Sequence, residues 1–434
     1  MPWSKLKLKN TDTSRPCPSP RSAHTCTLVG ECAYVFGGCN AESCLDDLLV
    51  LATSSMEWVA PPVAPPVDSG AAAAAAAAPA APAAPAAVWP CPRSNHAACA
   101  VGTTLYIHGG YDGATWLSDL YVLDTAAEEP AWRVPGVAGS APTARACHTL
   151  TTLGRQVFVF GGYDGSRFCG DLHVLDVDAG VDAAVWVQPQ VAGVPPQARS
   201  GHTSTAVGTR VVVFGGYSGT THLRDVHVLD TDTMAWSRPS VGGGPPPGMR
   251  GHTANLVGTK LFVFGGFTAR RRHCRDLHVL DVSAADGSMT WAHPPRRGAV
   301  PSKRQDHAAC VVQGDRLLVV GGWDGQQRLG DARVLDTTKV EGPEAQPSPR
   351  WCRKHMMVLG NDDRSVLFVQ FLRLKSHSDF AYAAAWLAAN HARVHGVSCC
   401  SGTSARVNAG MLRVGFKNRQ GHVRPSHLTW NSWL

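Results

Sequence analysis

Between Thr25 and Asp336 the apolar residues come in short runs that never lengthen into a helix-period stripe. One set of runs ends in paired glycines, as in "LYIHGG", "VFVFGG", "VVVFGG", "LFVFGG" and "LLVVGG". A second set opens on aspartate, as in "DLYVLD", "DLHVLD" and "DVHVLD". Each run alternates or is wholly apolar over four to six residues, which predicts strands rather than helices. A third apolar stretch follows a histidine and a fourth carries a tryptophan, so each unit is predicted to be four short strands.

The units are phase-locked. The first glycine of the pair stands at Gly37, Gly109, Gly161, Gly215, Gly265 and Gly321. Thirteen residues earlier lie His24, His96, His148, His202 and His252, with His307 fourteen before the last pair. Ten residues after the glycine come Asp47, Asp119, Asp171, Asp225 and Asp331, with Asp276 at eleven. Trp132, Trp186, Trp236 and Trp291 each precede the next histidine by 16 residues.

A four-stranded sheet cannot bury both faces alone, so such units stack radially into a closed ring. The fold class is therefore all-β, a six-bladed β-propeller over residues 1–345. Paired glycines at a strand end allow positive φ and close backbone approach near the axis. The sixth unit lacks a downstream tryptophan, whereas Trp3 precedes "PSPRSAHT" in the order seen inside the chain. The N-terminus is thus expected to supply the last blade's outer strand.

On these residues the chain resembles the kelch-repeat family, from "PRSNHAACAVGTTLYIHGGYDGATWLSDLYVLD" and its fellows across Trp3 to Asp336. The resemblance implies a propeller and, for most members, partner binding. Some similar propellers are enzymes: copper-dependent galactose oxidases and the iron-using plant specifier proteins. No Glu-Asp-His run of the specifier kind is found here, and a cytosolic metal-dependent enzyme of that type stands as the alternative reading.

Composition refines the picture. The net charge of +7 is uneven: residues 350–434 hold 12 Lys/Arg against 3 Asp/Glu, leaving the repeat region nearly neutral. Binding of nucleic acid is not the expectation for the propeller. The 14 cysteines include no C-x-x-C pair and are read as reduced thiols. "MPWSKLKLKN" lacks an apolar signal region, and the run from Ala71 to Ala87 is broken by Pro79, Pro82 and Pro85, so no membrane span and a cytoplasmic location are expected. Residues 60–88 read as an inserted Pro/Ala-rich loop, 346–371 as a degenerate partial seventh repeat with Gln370-Phe371 where glycines belong, and 372–434 as a basic tail, irregular or partly helical through "DFAYAAAWLAANHARV".

For chemistry, no phosphate-cradling loop, G-x-S-x-G elbow or H-E-x-x-H helix is present, and neither catalysis nor a cofactor is expected. The six histidines lie one per blade on a ring, whereas metal ligands must converge on one point. They are expected to be structural, bonding to a neighbouring strand's backbone. Three residues before them stand Arg21, Arg93, Arg145, Arg199 and Arg304, with Met249 breaking the pattern. A ring of guanidinium groups could clamp carboxylates in pairs, so these arginines are expected to contact an acidic segment of a partner protein. Pairing with a local aspartate, pinning adjacent blades, is the alternative.

The turns after the glycine pairs add Tyr111, Tyr163, Tyr217, Phe267 and Trp323, followed by Asp112, Asp164 or Asp324 in three blades. Aromatic side chains beside arginines are typical of interaction hot spots, and these residues too are expected to bind the partner. Packing on the adjoining blade is the competing account. "FTARRRHCRD" adds Arg270, Arg271, Arg272 and Arg275, a local positive patch.

Overall fold

A computed structural model describes residues 3–6, 18–63, 88–295 and 297–340, together with the backbone of five short strands beyond residue 355. The chain divides into two compact units, Met1–Pro343 and Glu344–Leu434. The first unit is the six-bladed propeller.

Each blade has the predicted antiparallel order. Blade 3, for example, runs Thr149–Leu153, Gln156–Phe160, Leu172–Asp176 and Val185–Val187, from the axis outward. The two middle strands are apolar on both sides because a sheet lies against each face, so their side chains are buried without alternation: the last four residues of Gln156–Phe160 and the first four of Leu172–Asp176 are all inaccessible. Blades 3, 4 and 5 gain a two-residue parallel strand on their outer edges, at Ala138–Gly139, Ala192–Gly193 and Val241–Gly242, which covers an otherwise open edge.

The ring closes as the sequence predicts. Trp3–Lys5 pairs antiparallel with Ala332–Asp336, with Trp3 opposite Leu335. That register repeats Trp58 opposite Leu51, Trp132 opposite Leu123, Trp186 opposite Leu175, Trp236 opposite Leu229 and Trp291 opposite Leu280. Each tryptophan also leans on the preceding blade: Trp132 on Phe36 at 5.6 Å, Trp236 on Phe160 at 5.3 Å, Trp291 on Phe214 at 4.9 Å and Trp3 on Phe264 at 5.0 Å between ring centroids. The hydrophobic core is therefore a set of clusters lying between blades. One of them joins Ala33, Leu49 and Trp58 of blade 1 to Leu318, Val320 and Val334 of blade 6 across the closing seam.

In the second unit, Met356–Leu359 and Leu367–Gln370 form an antiparallel pair. Farther on, where an irregular or partly helical tail is expected, His395–Cys399, Leu412–Lys417 and Val423–Leu428 form a three-stranded antiparallel sheet. The alternation of Leu412, Val414 and Phe416 is the period-2 signal for it. The expected helix over 379–394 and most of the Pro/Ala-rich loop, residues 64–87, lie outside the described residues.

Candidate interaction face

The loops entering each blade and the turns after the glycine pairs share one face, since backbone bridges join Ser94 to Tyr111, Ala146 to Tyr163, Ser200 to Tyr217 and Gln305 to Trp323. The five arginines expected on its surface lie beneath it. Arg93, Arg145, Arg199 and Arg304 are 0% exposed and Arg21 is 1% exposed. Each guanidinium forks onto its own blade's aspartate: Arg21 on Asp47, Arg93 on Asp119, Arg145 on Asp171, Arg199 on Asp225 and Arg304 on Asp331, at 2.6–3.1 Å. Nη1 also donates to the carbonyl of the first glycine of the pair, and Nε to the carbonyl two residues back.

Every strong direction of the guanidinium is thus consumed inside the blade, and the expectation that these arginines contact a partner is corrected. They tie the entering loop to the glycine turn. Burial works against the charge on Arg93 and Arg145, but Asp119 and Asp171 outweigh it and their pKa values rise. Burial likewise opposes ionisation of Asp171 and Asp225, yet hydrogen bonds from Arg145 and His173, and from His227 and Arg199, hold both carboxyls below the ordinary range.

The arginine backbone joins blades. The second glycine of one blade donates its N–H to the carbonyl of the next blade's residue at the arginine position: Gly38 to Arg93, Gly110 to Arg145, Gly162 to Arg199, Gly216 to Met249, Gly266 to Arg304 and Gly322 to Arg21, at 2.8–2.9 Å. At Gly37, with φ of 60°, a Cβ would stand 2.8 Å from the Arg93 carbonyl and 3.1 Å from the His96 ring, so a side chain there would push two blades apart.

The repeat histidines complete the joint. His96, His202, His252 and His307 each bond through Nε2 to a threonine hydroxyl of the preceding blade, Thr25, Thr149, Thr203 and Thr253, at 2.9–3.2 Å. His148 meets His108 at 3.0 Å instead. In these five junctions one partner is a side chain, and His202 and His252 also meet the backbone of Phe160 and Phe214 in the preceding blade, as expected. Burial lowers His24, His96, His108, His202 and His252 to about 3, helped by the arginines beside all but His252, so they are neutral spacers.

Just before each histidine, one residue per blade adopts a left-handed conformation: Ala23, Asn95, Cys147, Gly201, Gly251 and Asp306, with φ between 51° and 62°. Each donates its N–H to the carbonyl of its counterpart in the preceding blade at 2.7–2.9 Å, and the six bonds close a circle around the axis. This ring fixes the mouth of the central channel. Burial and the nearby Asp306 push the Cys147 thiol up to about 12, the reverse of an activated nucleophile. Among the described residues, no three His, Cys, Asp or Glu side chains converge as metal ligands would.

Above the ring runs a belt of half-buried side chains, two per blade. Tyr111 packs on Trp116 at 4.9 Å, Trp116 on Tyr163 at 5.9 Å, Tyr163 on Phe168 at 5.0 Å and Phe168 on Tyr217 at 5.7 Å. It continues through His222, Phe267 and His273 at 4.9–5.8 Å. Arg328 stacks on Trp323 at 5.5 Å and reaches the Cys39 sulfur at 3.5 Å, while Cys44 touches the Tyr111 carbonyl at 3.7 Å, which carries the belt from blade 6 through blade 1 to blade 2.

The predicted aromatics Tyr111, Tyr163, Tyr217, Phe267 and Trp323 are thus one half of the belt. The other half, Cys44, Trp116, Phe168, His222, His273 and Arg328, was not predicted. Its signal is a bulky or sulfur-bearing residue five or six positions after the first. Asp112, Asp164 and Asp324 point into their own turns, where Oδ1 accepts the N–H groups two and three residues on at 2.6–2.9 Å.

Blade 5 departs from this scheme. Met249, 0% exposed, fills the buried place that arginine takes in the other blades. The arginine comes one residue later, and because successive strand residues face opposite ways, Arg250 turns to the mouth. Its guanidinium lies 5.3 Å from the Tyr217 ring centre and 5.8 Å from that of Phe267. Among the described residues it makes no hydrogen bond or ion pair. The first two strands of this blade, Met249–Val257 and Lys260–Thr268, are nine residues long, so pairing continues past the glycines and holds Arg250 rigidly.

A family model described as the KLHDC2/KLHL20/DRC7 Kelch-repeats domain matches residues 81–207 and 179–369. Kelch domain-containing protein 3 of Rattus norvegicus is 29% identical over 369 residues, covering 80% of this chain and 90% of that protein. Host cell factor 1 of Homo sapiens is 29% identical over 254 residues, 47% of this chain and only 12% of the relative. Host cell factor of Drosophila melanogaster is 28% identical over 374 residues, 74% of this chain and 22% of the relative.

Proposed function

The chain belongs to the kelch-repeat family of β-propellers, and on that premise we propose that it is a non-enzymatic interaction module whose belt face captures an acidic segment of a partner protein. The observation that carries the reading is Arg250: a half-buried cation seated on two aromatic rings, with the buried Asp306 carboxyl in electrostatic range but no direct ion pair among the described residues, beside five arginines that are saturated. A guanidinium already flanked by apolar rings has shed part of its water, so a partner carboxylate gains more there than at an open surface.

The face is polarised. Tyr111, Trp116, Tyr163 and Phe168 give blades 2 and 3 an aromatic sector, whereas Arg250, Arg328 and the other blade 5 arginines make blades 5 and 6 basic. A bound segment would lay apolar side chains over the first sector and acidic ones over the second, with hot-spot energies concentrated at Arg250 and the rings. The ten described cysteines are all free thiols, Cys26 and Cys310 lying 3.4 Å apart without a bond, which suits a reducing compartment such as the cytosol. Among the described residues no helix is long and apolar enough to cross a membrane.

The test is recovery of bound proteins from cells expressing the wild-type chain or Arg250→Ala, with Arg155→Ala on the opposite face as control. Loss of the same partners from Arg250→Ala alone supports the reading. Full retention would move the site off this face.

A further inference from the structure

The blade 5 turn departs from its counterparts in a way that folding does not require. Blades 2, 3, 4 and 6 close this turn with a glycine at positive φ, at Gly113, Gly165, Gly219 and Gly325. Blade 5 instead places Arg271 in the left-handed region, φ 54°, between Arg270 and Arg272. A long side chain is held there against the backbone's preference, and strain of that kind persists where function needs it. Arg270, Arg271 and Arg272 are exposed and have no acidic partner among the described residues. The turn is nonetheless ordered by two backbone bonds: Thr268 N–H donates to the Arg272 carbonyl at 3.0 Å, and Arg271 N–H to the Thr268 carbonyl at 2.9 Å.

The turn is continuous with the anchor of the proposed site, because Arg250 pairs with Phe267 on the strand that leads into it. We infer that this turn reads a phosphorylated side chain on the partner segment whose acidic residue seats on Arg250; the inference rests on the interaction reading above. A single carboxylate carries one charge and is matched by one guanidinium. Three successive guanidinium groups with no internal counter-charge match a group with about two charges and three acceptor oxygens, which is what a phosphomonoester offers. The other blades' turns are capped by an aspartate, asparagine or serine at this position; here Thr268 takes it, its hydroxyl donating to the Arg272 carbonyl at 3.2 Å, and the residues inside the turn are cations instead.

The experiment uses the full chain, immobilised, and peptide libraries with degenerate flanks around a fixed serine, glutamate or phosphoserine, read by mass spectrometry. On the wild type, phosphoserine peptides should be recovered at least tenfold over serine peptides and clearly above glutamate peptides. The triple variant Arg270→Ala, Arg271→Gly, Arg272→Ala should bring that ratio near one. Arg271→Gly relieves the backbone, so this variant should melt no lower than wild type, and its loss of binding would not be unfolding. Arg155→Ala should keep the ratio.

Equal recovery of phosphoserine and serine peptides on the wild type would overturn the inference, as would a ratio unchanged in the triple variant. Glutamate recovered as well as phosphoserine would overturn the phosphate assignment. Failure of the underlying reading looks different: Arg250→Ala would then keep every cellular partner, whatever the libraries show.

Discussion

Removing the Trp3 ring tests how firmly the N-terminal strand closes the propeller. Trp3 is 3% exposed, stands opposite Leu335 and packs on Phe264. Its ring withdraws roughly 200 Å² from water, which at ~25 cal/mol per Å² is about 5 kcal/mol. Measured Trp→Ala changes in cores cost about 3–5 kcal/mol, and that is the expected loss for Trp3→Ala. Against a typical domain stability of about 5–15 kcal/mol this is a large fraction. Lys5→Ala, exposed on the same strand, should stay within about 0.5 kcal/mol of wild type. Urea unfolding followed by far-ultraviolet circular dichroism measures both without relying on the deleted fluorophore. Trp236→Ala is the internal reference, because its ring makes the equivalent contact with Phe160 at 5.3 Å within a continuous blade. If Trp3→Ala lost less than about 1 kcal/mol while Trp236→Ala lost the full amount, the seam would not depend on the N-terminal strand, and the closure argument would be wrong.

Asp119→Asn leaves the buried Arg93 charge without its counter-ion and should cost about 3–5 kcal/mol in urea midpoint experiments, whereas a loss below about 1 kcal/mol would mean that the pair is replaceable by water. Acid should weaken the ring before the carboxylates titrate. The folded-state pKa values of His24, His96, His108, His202 and His252 are lowered to about 3 against 6.5 unfolded, so their contribution is complete above about pH 6.5 and is lost as the pH falls. Each site then costs about 2 kcal/mol between pH 7 and pH 5. A melting temperature flat across that interval would contradict it, and His202→Gln should reduce the slope.

The period of the sequence carried the architecture because blade closure depends on spacing alone. The order of tryptophan, then Pro-Ser-Pro-Arg, then histidine made Trp3 recognisable as the missing sixth strand although it stands 21 rather than 16 residues before His24, and the structure places it in the register of the other five. Direction of side chains was harder to read. An arginine once per blade looks the same in sequence whether it faces a partner or an aspartate, and burial of Arg93 on Asp119 is settled only by the way the entering loop folds over the glycine pair. The informative residue was the exception: Met249 fills the arginine's place, so the cation one position later is freed to face the mouth. Trp116, Phe168 and His222 were missed because they sit in a turn of varied composition and acquire their role only against the next blade. The three-stranded sheet beyond His395 was missed because Pro425 and scattered basic residues obscure an otherwise regular alternation.

The central claim, that partners are held at the belt face with Arg250 as anchor, is tested most directly by quantitative recovery of partners on the wild-type chain, Arg250→Ala and Arg155→Ala, after matching their melting temperatures. The account predicts that Arg250→Ala stays within about 1 kcal/mol of wild-type stability, because its side chain gives up only its contacts with the Tyr217 and Phe267 rings, and that it loses at least about 2 kcal/mol of binding, about thirtyfold, while Arg155→Ala binds normally. Undiminished binding to Arg250→Ala, or an equal loss with Arg155→Ala, would contradict it.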